Sequence, residues 1–273
     1  MISIIVPAHN EARLIGACLT ALFASDRCPV PVEVIVVANG CTDATREIAQ
    51  GFSGQASQKG WSYQVLDRPA LGKPGALNAG DAAARYPARA YLDADVTVSP
   101  GLLAALWHAL DRAEPAYASG QVRITAVSAA SRRYGRLWQR VPFMTYGVPG
   151  CGLFAVNAAG RARWRAFPPV ISDDTFVRLS FRPDERHLVP FPYDWPIAEG
   201  LRALIAVRRR QDAGVAEIAA RFPDLLANDD KLPLRRRRAL GLALSDPLGF
   251  VTYAGVAAAV RLLPAPKQWS RGR

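Results

Sequence analysis

Six short stretches of the 273-residue chain carry residue types that could do chemistry. Asp93-Ala94-Asp95 follows a β-rich run at 89–92. Two carboxylates two positions apart at a strand end can face one cation, and hard oxygen ligands suit Mg²⁺ or Mn²⁺. By itself the pattern is weak, because Asp is common in turns after strands. Asp173-Asp174 opens a helix, where acids complement the dipole; read chemically, a carboxylate there could take the proton of an attacking hydroxyl. Lys73, in Gly72-Lys-Pro-Gly-Ala-Leu-Asn78, is one of only four lysines and stands at a helix start. The macrodipole disfavours a cation there, and a bound anion would offset that cost. This stretch is no P-loop, and Gly-x-Gly-x-x-Gly is absent from the chain.

The other three stretches are read both ways. In Pro7-Ala-His-Asn10-Glu11, Asn10 is expected to cap the first helix with Glu11 in its first turn, and the loop could form one wall of a ligand crevice. His9, with no second His or Cys nearby, reads as a loop or packing residue. Asn39-Gly40 is turn chemistry, and Thr42 or Asp43 a helix start. Arg208-Arg209-Arg210 is either favourable charge at a helix C-terminus or a set of planar forks suited to a diphosphate.

These stretches need elements to hold them together. β-rich runs at 2–6, 32–37, 62–66 and 89–92 alternate with helical stretches at 11–23, 42–50, 76–86 and 102–112, the last introduced by Ser99 and Pro100 as cap and first residue. The alternation predicts an α/β fold with a doubly wound, mostly parallel sheet, whose ligands sit beyond the carboxyl ends of the strands. The candidate loops follow those strands. Beyond residue 114 the pattern gives a strand at 117–124, an Arg-rich helix at 128–140 and a Gly-flanked strand at 150–156. A helix at 175–181 follows the acid pair, and a stiff connection through Pro190, Pro192 and Pro196 leads into a helix at 197–210.

Charge is uneven. The net +11 comes from 34 basic and 23 acidic residues; 14 basic and 6 acidic ones fall after residue 200, which points to an anionic ligand or surface. Residues 239–260 carry only Asp246 as a charge and lie between Arg235–Arg238 and Arg261. The uncharged part is 14 residues, short of a bilayer span, so a packed C-terminal helix competes with burial at an anionic membrane surface, with Trp269 near the headgroups. Four scattered cysteines (18, 28, 41, 151) exclude a zinc cage or disulfide framework, and the N-terminus lacks a signal-peptide pattern, so a cytoplasmic protein is expected.

Taken together, Pro7-x-x-Asn10-Glu11, Asn39-Gly-Cys-Thr-Asp43, Lys73 to Asn78, Asp93-Ala-Asp95 and Asp173-Asp174 resemble, in order and spacing, the motifs of the family-2 glycosyltransferases of GT-A fold. The resemblance implies an inverting, metal-dependent enzyme that moves one sugar from a nucleotide-diphosphate sugar, with UDP the expected carrier. Its acceptor would be a lipid-linked or envelope glycan. By position, Pro7, Glu11 and Asn39 would line the nucleoside pocket, with Lys73, Asn10, Asp43 and Asn78 at further donor-contacting positions. Asp93 would face the ribose or metal, Asp95 would ligate Mg²⁺ or Mn²⁺, and Asp174 would be the general base. Arg208 or Arg210 would close over the diphosphate. Ala38 and Asn39 stand where many relatives have acids, and an Asp-Asp pair replaces Glu-Asp, which leaves Asp173 and Asp174 unranked. The Gln-x-x-Arg-Trp motif of processive synthases is missing.

On this reading residues 1–115 form the donor half, 116–210 the acceptor and catalytic-base half, and 211–273 a basic helical segment at the inner face of the membrane. The alternatives are a sugar nucleotidyltransferase, for which the Gly-rich first loop is missing, and a basic module for anionic lipid or nucleic acid. A nucleic-acid partner is disfavoured, because no reading motif is present.

Overall fold

The computed structural model describes residues 1–262. One sheet in the order β3-β2-β1-β4-β7-β6-β8-β5 is built from β1 (Ile2–Ala8), β2 (Val32–Asn39), β3 (Ser62–Arg68), β4 (Ala88–Leu92), β5 (Thr97–Val98), β6 (Tyr117–Thr125), β7 (Leu153–Val156) and β8 (Arg186–Pro196). The first four strands are mutually parallel, β7 runs antiparallel between β4 and β6, and β8 is parallel to β6. Strands β1 and β2 are buried along almost their whole length and largely apolar, because both faces are covered. Ile4, Val6, Val34 and Val36 pack under helices Ile15–Phe23 and Leu102–Leu110, while Ile5, Ile35 and Val37 pack against Ala76 and Leu77 of helix Gly72–Ala83. Gly80 permits that helix to lie directly on β1, since a Cβ there would stand 2.4 Å from Ile5 Cγ2.

Several expected boundaries move, each for a local reason. The first helix starts at Ile15, and Asn10 is no cap: it adopts φ 54° and its Oδ1 accepts from Thr42 N at 2.8 Å. The helix expected from residue 42 begins at Thr45, whose N–H is received by Asp43. Ser99 and Pro100 precede a helix that begins at Leu102, because Ser99 N is bonded to Pro192 O of β8. The proline-rich connection is a strand. Its ladder to β6 shifts register between Leu188 and Pro192, so Pro190 falls in a bulge where no N–H is required. The helix expected to end at 210 runs from Leu201 to Arg221, which places Arg208–Arg210 in its interior and the 210/211 boundary within one element. The apolar stretch 239–260 is two helices, Arg236–Ser245 and Pro247–Leu262. Asp246 between them accepts from Gly249 N, and Pro247 sits at the first helical position. Among the described residues no helix is long and apolar enough to cross a membrane, and Trp269 lies outside them.

At the opposite end of the sheet from the candidate loops, buried Glu33 accepts from Ser3 Oγ (2.7 Å), Arg85 N (2.9 Å) and Arg85 Nε (2.6 Å). Burial alone would raise its pKa, but the bonds from Arg85 and Ser3 outweigh burial and hold it below the usual glutamate value. A depressed folded-state pKa contributes stability above the unfolded value that is lost as pH falls through the folded one. Glu33→Gln is therefore expected to lower stability by about 1–3 kcal/mol at neutral pH. In denaturant titrations the difference from wild type should shrink below about pH 4; a gap independent of pH would contradict this.

Candidate active site

The loops after β1 and β2 meet as parallel neighbours should. Pro7 is paired with Val37 in the β1–β2 ladder, Glu11 N donates to Thr45 Oγ1 at 2.7 Å, and Ala12 N donates to Asp43 Oδ2 at 3.2 Å. The His9 ring meets the carbonyl of Asn39. Gly40, with φ 63°, brings its backbone against Ala70, 2.7 Å from where its Cβ would be. Asn39, buried at the end of β2, accepts from Leu71 N (2.8 Å) and donates to Gly72 O (3.0 Å). It thus pins the start of helix Gly72–Ala83 and aims the helix's first turn, which carries Lys73.

Lys73 is the centre of the site. Its Nζ lies 2.8 Å from Asp93 Oδ1 and 3.2 Å from Asp173 Oδ2, which joins segments a hundred residues apart in sequence. Asp93 and Asp95 sit in the turn after β4, where Val96 N donates to Asp93 O and Asp93 N to Gly152 O. Helix Asp173–Leu179 starts on the acid pair itself, two residues earlier than expected. Asp173 is 3% exposed, while Asp174 is half-buried and accepts from Thr175 N at 2.7 Å. Burial pushes Asp173 up to about 6 against the opposing pull of Lys73, with Asp174 and Asp93 adding to the rise. Burial would lower the pKa of Lys73, but Asp173, Asp93 and Asp174 overcome it and keep the ammonium charged.

Three carboxylates, Asp93, Asp173 and Asp174, around one ammonium leave the cluster anionic. Among the described residues no three His, Cys, Asp or Glu side chains converge as a closed cage. The carboxylates at the end of β4 are those of Asp93 and Asp95. This donor set fits Mg²⁺ or Mn²⁺, which commonly take one or two carboxylates and complete their shell with water and substrate phosphates.

Two expected contacts are redirected. Asn78 is occupied with the backbone of Phe167, accepting from its N at 2.7 Å and donating to its O at 3.0 Å, so it ties helix to loop. Arg208 donates to Asp212 at 2.9 Å and interacts with the Tyr134 and Tyr253 hydroxyls. Burial would lower its pKa, and Tyr134, Tyr253 and Asp212 raise it on balance. An Arg so held belongs to helix packing and is not a free fork at a helix end; Arg210, one residue past Arg209, lies in the same helix interior.

Other parts of the site were not anticipated. The expected strand from Gly150 begins only at Leu153, and Gly147, Gly150 and Gly152 form a loop at positive φ (72°, 66°, 73°). A Cβ on Gly150 would fall 1.7 Å from the Tyr117 hydroxyl, and one on Gly152 2.8 Å from Val96 Cγ2, so this loop packs directly beside the Asp93–Asp95 turn. Burial, then Asp174, push the Cys151 thiol far up, which keeps it protonated. Behind the acid pair, buried Arg178 reaches Asp229 (2.9 Å) and Asp230 (2.7 Å), and Arg186 shares Asp230 at 2.8 Å. Three glycines within six residues, and an acid pair in an Arg-rich stretch, were the available signals.

The profile of glycosyl transferase family 2 matches residues 3–163, well over half of the chain and ending ten residues before Asp173. An uncharacterized glycosyltransferase of Nostoc sp. is 31% identical over 99 residues, covering 36% of this chain and 29% of that protein. The match thus spans less than a third of that curated relative's length. Among solved structures, the mannosyltransferase PcManGT of Pyrobaculum calidifontis, in complex with GDP-Man and Mn²⁺, superposes with a TM-score of 0.61 at 22% identity over 97% of this chain and 76% of that one. Glucosyl-3-phosphoglycerate synthase of Mycobacterium tuberculosis, in complex with Mn²⁺ and UDP, gives 0.53 at 20% identity over 81% and 79%. The family match argues against the sugar nucleotidyltransferase. The chain belongs to glycosyl transferase family 2 and takes the GT-A fold.

Proposed function

We propose that this glycosyltransferase moves a single sugar from a nucleoside-diphosphate sugar, UDP being the expected carrier, to an acceptor hydroxyl with inversion. The observation that carries the proposal is Lys73 bridging Asp93 and Asp173, which gathers acids of two distant segments into one anionic cluster beside the β1 and β2 loops. Asp93 and Asp95 would hold Mg²⁺ or Mn²⁺. Such a cation, when bound, neutralises charge growing on the departing diphosphate. Lys73 supplies a second positive charge at the diphosphate end of the donor. Asp174, the more exposed of the pair, accepts the hydroxyl proton, and Asp173 holds Lys73 in place. Pro7, Asn10, Glu11 and Asp43 form the wall at which the nucleoside would lie.

The acceptor is expected at the inner face of a membrane, as a lipid-linked or envelope glycan. Supporting this, Leu240, Leu244, Leu248 and Val251 of the two C-terminal helices are 60–75% exposed, and Arg235, Arg236 and Arg237 beside them are exposed. An apolar ridge flanked by arginines suits an anionic interface.

A thermal-shift panel of UDP-, GDP- and dTDP-sugars with Mn²⁺ tests the donor assignment. A ligand at a hundred times its Kd stabilises by about 2.7 kcal/mol, roughly 5–10 °C for a chain of this size. Asp95→Ala is expected to lose the Mn²⁺-dependent part of that shift. Stabilisation by none of the three nucleotides would contradict the assignment.

A further inference from the structure

A groove of about 1060 Å³ runs between β6, β8 and helix Ala129–Trp138. Its apolar floor includes Val122, Ile124 and Leu188, and four arginines line it: Arg123 from β6, and Arg132, Arg136 and Arg140 at four-residue spacing along and just past the helix. Like charges at that spacing oppose one another. Charge near a helix C-terminus accounts for Arg136 and Arg140, but Arg132 lies in the first turn, where the dipole opposes a cation.

The surroundings only half-neutralise this stripe. Asp194 pairs with Arg123 at 2.7 Å and Asp246 with Arg136 at 3.1 Å. Arg132 donates to Val127 O and Arg140 to Ser245 Oγ, both uncharged. Glu199, the other acid nearby, accepts from Val127 N and Ser128 N. Arg238 donates to Arg140 O and Thr145 Oγ1. Two guanidiniums over an apolar floor are thus left without a carboxylate among the described residues.

One loop, Gly147 to Gly152, connects the groove to the acid cluster. Pro149 lines the groove, while two and three residues further on Cys151 lies within the field of Asp174 and Gly152 O accepts from Asp93 N. We propose that this groove is the acceptor site, and that Arg132 and Arg140, with Arg123 and Arg136, bind a phosphate carried by the acceptor. A phosphate's multiple charge and several oxygens suit several planar forks better than a single carboxylate does. The proposal rests on the glycosyl-transfer reading and adds to it the chemical class of the acceptor.

Calorimetric titration of the full chain with octyl phosphate, inorganic phosphate and neutral octyl glucoside tests it. Wild type is expected to bind a phosphate probe, and Arg132→Gln/Arg140→Gln to bind it at least about tenfold more weakly. Octyl glucoside should not bind. Octyl phosphate alone would identify a lipid-linked phosphate, whereas equal binding of inorganic phosphate would identify a soluble phosphorylated acceptor. The single variant Arg132→Glu repeats the test should the double variant misfold. Binding of no phosphate probe overturns the proposal, as does binding unchanged in the Arg variants, or lost in Asp95→Ala instead. A sugar-nucleotide thermal shift retained in the Arg variants separates this site from the donor site. Failure of that shift in wild type would sink the donor reading while leaving the phosphate result to be judged by itself.

Discussion

Replacing Asp174 by Asn is expected to lower turnover by about 10²–10⁴-fold, the range for loss of a positioned general base. Asn keeps an oxygen that can accept from Thr175 N, so the first turn of helix Asp173–Leu179 is retained and the change falls on proton transfer. Donor affinity should stay near wild type, because Lys73, Asp93 and Asp95 are untouched. A loss in kcat with little change in the donor KM is the pattern of an interaction made in the transition state. Asp173→Asn should differ: it removes an anchor of Lys73, so donor KM is expected to move along with kcat. If steady-state kinetics gave Asp173→Asn the pure kcat defect and Asp174→Asn the mixed one, the two roles would be exchanged.

Lys73→Met is the second large effect. It leaves Asp173, almost fully buried, without its compensating cation. Removing one partner of a buried pair costs roughly 3–5 kcal/mol. The Lys73 side chain is 41% exposed and that of Asp93 31%, however. Screening by solvent brings the expected loss to about 1–2 kcal/mol, a fall in Tm of several degrees. The sign of the titration follows from the same contact. Lys73 pulls the Asp173 pKa down from where burial would put it, so its removal must raise that value above about 6. Carboxyl ¹³C NMR of the metal-free protein should show the Asp173 titration move to higher pH in Lys73→Met. An unchanged midpoint would mean that the ion pair is not formed in solution.

Much of this site was legible from local pattern. Strands buried on both faces read as apolar runs, and the loops after β1, β2 and β4 could be placed at one edge from the alternation alone. What local pattern could not supply was pairing across distance. Asn39 and Asn78 carry motif positions, yet each amide is spent on backbone groups, Leu71 and Gly72 for one and Phe167 for the other. Arg178 and Arg186 find Asp229 and Asp230 only after helix Leu201–Arg221 has turned the chain back. Pro190, Pro192 and Pro196 argue against a strand locally, and the bulge opposite Gly120 is a tertiary answer to that objection. The proposed ranking of the acids likewise rests on burial, since adjacent aspartates look alike in sequence and differ only in what surrounds them.

The most direct test of the central claim is release of nucleoside diphosphate from the stabilising sugar nucleotide, followed with and without Mn²⁺ in wild type and Asp95→Ala. Wild type is expected to release it in a metal-dependent way, abolished by chelator, and folded Asp95→Ala at least about a hundredfold less. Folded Asp95→Ala releasing the diphosphate at the wild-type rate, with Mn²⁺ present, would contradict that claim.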